Sequence, residues 1–116
     1  MGSSQGDGTI KKCVAGTAGA YATNQDVSIN CGFKPKNLFL FASTDPDKYI
    51  ADHMAGSFYF DSFDSSKAVF GTADTNMTAY NLSNSITLAH RIKSIDSNGF
   101  TFRASAGRYY TFFAVE

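Results

Sequence analysis

An all-β domain built in two layers is what this chain predicts, on three observations. Phe and Tyr suit the half-buried pleated surface of a strand, and the 116 residues hold eleven Phe and six Tyr. Short apolar runs bounded by Gly, Pro, Asn and Asp recur along the chain, each too short for a helix face. The run Leu38-Phe39-Leu40-Phe41-Ala42, approached through Cys31-Gly32-Phe33-Lys34-Pro35, reads as a strand buried on both faces, so the chain has to supply cover on two sides.

A chain of this length forms one domain with one core and needs neither metal nor disulfide to fold. Ten Lys plus Arg balance ten Asp plus Glu, which removes the electrostatic footprint of a nucleic-acid or anionic-membrane binder and gives little protection against self-association. No apolar run approaches the ~20 residues of a membrane span. Residues 1 to 8 are rich in Gly, Ser and Asp and lack the basic start and apolar centre of a signal peptide. They are expected to form a flexible or partner-ordered arm on a soluble product made in the cytoplasm, with a single domain over 9 to 116. Gly2-Ser3 by itself is too short a signal for myristoylation. Cys13 and Cys31 match no metal-site spacing and are expected to be two small buried thiols, a disulfide between them requiring that their strands pair.

In chain order, Ile10 to Thr17 alternates loosely and reads as an edge strand, with Lys11 and Lys12 blunting edge-to-edge aggregation. Gly16 to Asn24 is small and polar, a turn or wide loop. Asp26 to Cys31 alternates strictly and places Val27, Ile29 and Cys31 toward the core. After the central run, Asp45-Pro46 matches a helix N-cap and first turn. Two turns of helix are expected over Lys48 to Ala55, ended by Gly56, with an irregular loop as the competing reading. Ser57 to Asp61 is strand-like, Asp61 to Lys67 a polar turn, and Ala68 to Phe70 a short extended piece. The polar stretch from Gly71 to Ser85 reads as a connection, and long polar connections on a β-scaffold are where binding residues concentrate. Ser85 to Leu88 and Arg91 to Ile95 alternate, Asn98-Gly99 supplies a hairpin turn, and Phe100 to Ala104 alternates again. A second turn at Ser105-Ala106-Gly107 leads into Tyr109 to Val115, which together predict a C-terminal three-stranded antiparallel meander. That last strand is apolar on both faces. One face enters the core, and the outward residues Tyr109, Thr111, Phe113 and Val115 are the expected oligomer interface.

Two signatures in this chain, Gly32-Phe33-x-Pro35 leading into an apolar strand, and Ile92-x-x-Ile95-x-x-x-Gly99-Phe100-Thr101-Phe102 followed by Gly107-x-Tyr109-Tyr110-x-Phe112-x-Ala114, resemble the small β-sandwich modules of tailed-bacteriophage virion proteins. The similarity spans roughly residues 26 to 116. It implies an antiparallel, jelly-roll-like β-sandwich with at most one short helix. Such modules end tail-fibre and baseplate chains or stand alone as structural or decoration proteins. No long fibrous shaft precedes the module here, so the resemblance implies a virion subunit docked on capsid or tail. Its partners would be other virion proteins and copies of itself, a trimer among the options. The alternative is a host-receptor attachment module that binds a cell-surface glycan. The turn and core residues have structural work in this reading: Gly32 and Gly99 suit positive φ, and Pro35 fixes the approach to the strand.

No reaction centre is legible. His53 and His90 fall in no metal-ligand spacing. Asp45-Pro46-Asp47 and Asp61-Ser62-Phe63-Asp64 lack the ligand series of a Ca²⁺ loop and are expected to serve turns. No serine sits in a Gly-x-Ser-x-Gly elbow, no Gly-rich loop ends in Lys, and no carboxylate pair can be assigned to glycoside hydrolysis. Asn76-Met77-Thr78 and Asn81-Leu82-Ser83 match a glycosylation pattern that has meaning only on an exported chain. The chain is therefore read as non-enzymatic, without cofactor or metal, without a nucleic-acid partner and without membrane insertion. Candidate ligand-binding residues in the two long connections are Tyr49, His53, Tyr80 and Asn81, the tyrosines as platforms for a sugar ring.

Overall fold

The structure, a computed structural model, describes residues 11–43 and 55–116. Nine strands form in chain order: β1 (Cys13–Gly19), β2 (Gln25–Asn30), β3 (Asn37–Ser43), β4 (Ala55–Phe60), β5 (Lys67–Thr72), β6 (Thr78–Asn81), β7 (Ile92–Asp96), β8 (Gly99–Ala104) and β9 (Tyr109–Val115). They make two antiparallel sheets, one of six strands in the order β1-β9-β3-β4-β5-β6 and one of three in the order β2-β8-β7. The expected antiparallel β-sandwich is what forms, and no helix occurs among the described residues. The helix expected over 48 to 55 lies outside the described residues except at its end, where Ala55 and Gly56 open β4.

Alternation decides which face of each strand enters the core. Leu38, Leu40 and Ala42 of β3 are buried, as are Tyr110, Phe112 and Ala114 of β9, and the two strands pair side by side with Leu40 opposite Phe112. From the smaller sheet, Phe100 and Phe102 of β8 meet them across the sandwich. The Phe100 and Phe112 ring centroids are 5.5 Å apart and edge-on, and Phe102 and Tyr110 are 4.8 Å apart. Val27, Ile29 and Cys31 pack against this core as their alternation predicts. Burying each such Leu or Phe contributes roughly 1.5–3 kcal/mol.

Three expectations are corrected. The C-terminal meander is only partly a meander: β7 and β8 form the hairpin, but β9 crosses to the other sheet and pairs with β1 and β3. The outward residues of β7 and β8 are polar, Ser94, Thr101 and Arg103 among them. The outward Phe113 and Val115 of β9 would be stranded beside those residues, whereas in the larger sheet Phe113 stacks on Phe39 at 6.2 Å. Ser85 to Leu88 is not a strand. Ser83 accepts the Ser85 and Ile86 amides, and such local serine bonds compete with a sheet ladder. The expected connection from Gly71 to Ser85 instead contains β6, an edge strand anchored on β5 by Tyr80.

The turns follow from residue chemistry, with one exchange of roles. Gly32 has φ +82° and Gly107 φ +75°, both in the left-handed region that favours glycine. Gly99 does not, and its requirement is space: opposite Asn30 in the β2–β8 ladder, a Cβ there would collide with the Ile29 carbonyl oxygen. The cysteine reading also changes. Cys13 is exposed and Cys31 half-buried, and both are free thiols, since β1 pairs with β9 while β2, which Cys31 follows, pairs with β8.

Candidate functional site

The two outer faces of the sandwich have opposite chemistry. On the three-stranded sheet the outward positions are polar: Lys93 donates to Asp26 at 2.5 Å, Arg103 donates to the same carboxylate at 3.1 Å, and Ser28 bonds Thr101 at 2.8 Å. Hydrogen bonds from Lys93 and Arg103 hold the Asp26 carboxyl below the usual carboxylate range. This face is polar and ion-paired, with Asp26 half-exposed over a buried Lys93.

The outer face of the six-stranded sheet is aromatic. The ladder register places Phe39 between Phe113 on β9 and Phe58 on β4, and Asn37 between Val115 and Phe60. Phe41 lies opposite Thr111 on β9, and Val69 of β5 pairs with Phe58. Phe39 makes edge-on contacts with Phe58 at 5.8 Å and Phe60 at 5.5 Å, and Phe41 with Phe58 at 5.3 Å. Two glycines make room for this layer. The Phe58 ring lies over Gly56, and Met77 folds over Gly71. Cross-strand aromatic pairs of this kind stabilise a sheet, yet the rings stay half-buried and Phe113 is 41% exposed. Around these rings the face carries Ala15, Thr17, Ala79 and, as its one charged side chain among the described strands, Lys67.

Of the residues expected to form an interface, Tyr109, Thr111, Phe113 and Val115 all lie on this face, half-buried or exposed. Phe39, Phe41, Phe58 and Phe60, which share it, escape sequence reading because runs apolar on both faces hide their own alternation. Of the expected ligand-binding residues, Tyr49 and His53 lie outside the described residues. Asn81 ends β6 opposite Lys67. Tyr80 is only partly buried: its hydroxyl turns inward and donates to the Ile92 carbonyl at 2.9 Å, while the residue also lines a cleft beside β5 and β6. Ser57, fully buried on β4, receives the Ile92 amide at 3.2 Å and lies 2.8 Å from the same hydroxyl. Tyr80 has spent its one proton, so Ser57 donates to Tyr80, and every group in this clasp between the sheets is satisfied. Burial pushes the Tyr80 hydroxyl up to about 12.

Among the described residues, His90, Asp61 and Asp64 are engaged in structural hydrogen bonds. His90, at φ +71°, lies with Nδ1 2.8 Å from the Tyr110 hydroxyl, which also accepts the Ser105 amide at 2.7 Å. Burial, with Arg108 and Arg91 nearby, lowers His90 to about 4. Asp64 accepts from the Ser66 hydroxyl at 2.6 Å and the Ser66 amide at 2.9 Å, which depresses it, and Tyr59 donates to Asp61 at 3.3 Å. No group of three or more His, Cys, Asp or Glu that could hold a metal ion occurs among the described residues. Asp45 and Asp47 lie outside them. Comparison with family models, curated proteins and solved structures gives no match.

Proposed function

We propose that the protein is a non-catalytic structural subunit of a tailed-bacteriophage particle, an accessory, decoration or fibre protein that docks on capsid or tail and buries its aromatic sheet face against a second copy of itself. The observation that carries this reading is the contrast between the two outer faces, one polar and ion-paired, the other a continuous layer of Phe rings. Six strands at ~4.8 Å spacing and ~20 Å length give a projected area of roughly 580 Å². With ring relief this approaches the ~800 Å² that each partner brings to a standard interface, and it is at the upper end of what a monomer leaves exposed. The face suits a copy of itself: it carries almost no charge to clash across a two-fold axis, and the chain's formal net charge is zero. The phage setting rests on the two turn-and-core signatures and on the sandwich they imply. The non-catalytic reading is supported by the engagement of His90, Asp61 and Asp64 in structural hydrogen bonds.

Sedimentation equilibrium tests the self-association. The wild-type chain is expected to be oligomeric. A Tyr109→Lys, Phe113→Lys variant, altered only on the outward side of β9, is expected to be monomeric with an unchanged far-ultraviolet circular dichroism spectrum. A wild-type chain that stays monomeric at high concentration removes the reading. The setting is tested separately by antibody labelling of purified particles, where an unlabelled particle removes the virion role and leaves self-association standing.

A further inference from the structure

The six-stranded sheet is wider than the sheet facing it, so the inward side of β5 and β6 overhangs β7, and the chain from Leu82 to Arg91 folds beneath it. Between them lies a cleft of about 530 Å³, within the usual size of a small-ligand site, lined by Phe70, Asn76, Thr78, Tyr80, Leu88 and Arg91 among others. It opens on the opposite side of the sheet from the aromatic face, so it is independent of self-association.

Three features of this cleft point to a ligand. The Arg91 guanidinium sits 3.7 Å above the Phe70 ring centroid, and its Nη1 donates to the Ala89 carbonyl at 2.9 Å. It is thereby held in place, yet it faces no carboxylate: the ion pairs among the described residues all belong to Asp26. Its Nε and Nη2 donors bond no described residue, leaving a pre-positioned fork of the geometry that takes a carboxylate by two bonds. Beside it Leu88 is 62% exposed, an aliphatic wall with nothing upon it. The exposed Asn76 and Thr78 also line the cleft, where the Asn76 amide offers a donor and an acceptor and the Thr78 hydroxyl, which donates to the Asn76 carbonyl at 3.5 Å, offers an acceptor. One cation, an apolar wall and a row of neutral polar groups match a pyranose ring: carboxylate on Arg91, the C–H face on Leu88, ring hydroxyls on Asn76 and Thr78.

We propose that the cleft between β5–β6 and the 82–91 segment binds a carboxylate-bearing saccharide, a uronic acid residue, with Arg91 as its anchor. The test is an NMR titration of the full chain with a glucuronate-containing oligosaccharide, its neutral glucose counterpart and an acidic peptide. The uronate is expected to shift the amides of 75–80 and 88–91. Arg91→Gln should weaken it by about tenfold or more, and Arg91→Lys by less, because lysine keeps the charge and loses the fork. Asn76→Ala, in an exposed turn that does not support the core, should weaken the uronate severalfold and serves as the second variant if Arg91→Gln disturbs folding. No uronate shift, equal binding of the neutral sugar, preference for the peptide, or binding unchanged in these variants would each overturn the assignment. None of those outcomes bears on the oligomeric state, so the cleft and the aromatic face stand or fall separately.

Discussion

Replacing Tyr80 by Phe removes one oxygen from the clasp between the sheets, whose Ser57 and Ile92 are fully buried and whose Tyr80 is partly so, and the structure sets the size of the effect. The Ile92 carbonyl loses its donor and Ser57 loses its acceptor, while the ring still fills its place. No water reaches these groups to compensate, because Ser57 and Ile92 are both 0% exposed. An unpaired buried carbonyl or hydroxyl costs about 1–3 kcal/mol, so Tyr80→Phe should destabilise by roughly 2 kcal/mol. For a domain of this length that corresponds to a fall in Tm of roughly 6–12 °C. Urea denaturation of wild type, Tyr80→Phe, Ser57→Ala and the double variant measures it. The double variant should lose less than the sum of the singles, since the two hydroxyls share one bond. A Tyr80→Phe change within ~0.5 kcal/mol of wild type, or strictly additive losses, would refute the clasp and return Tyr80 to the role of a surface platform.

Two further perturbations follow from the same geometry. His90 is near 4 in the folded chain and near 6.5 when unfolded. Its contribution is therefore complete above pH 6.5 and is lost as pH falls toward 4, where the unfolded chain takes up the proton first. The ceiling is roughly 3 kcal/mol, which solvent screening of a half-exposed imidazole reduces to roughly 1–2 kcal/mol. The difference in stability between wild type and His90→Asn, a residue that tolerates the positive φ, should shrink across that pH window, and a difference that stays constant would show that His90 does not titrate with folding. Two glycines should respond unequally to alanine. At Gly99 the new methyl meets the backbone of Ile29 and Asn30, whereas at Gly16 it lies 2.7 Å from Cζ of the buried Phe112 ring, a side chain that can tilt away by a few tenths of an ångström without moving the backbone. Gly99→Ala should cost more than ~2 kcal/mol and Gly16→Ala about 1 kcal/mol in denaturant titration, and equal losses would contradict the β2–β8 register.

Strand existence was legible wherever one face of a strand is wetter than the other. The strict alternation of Val27, Ile29 and Cys31 places them against the core, and the turn signal after Asp96 marks the β7–β8 hairpin, although its two turn residues are Ser97 and Asn98 and Gly99 opens β8. It failed in both directions for polar segments. Ser85 to Leu88 alternates without being a strand, and Thr78–Asn81 is a strand without a legible pattern, because an edge strand held by one buried tyrosine needs little hydrophobic signal.

The class of fold, the inward set Val27, Ile29 and Cys31, and the outward apolar side of β9 could be read from residue order alone, because all of them depend on local pleat and side-chain burial. Long-range pairing was needed to insert β9 between β1 and β3 rather than beside β8, to bring Phe39, Phe41, Phe58, Phe60 and Phe113 onto one face, and to turn the Tyr80 hydroxyl inward. The reason is that a strand apolar on both sides fits the local rules of either sheet. The choice between them is made by which neighbours its second face meets, and that is a property of strands far apart in the chain.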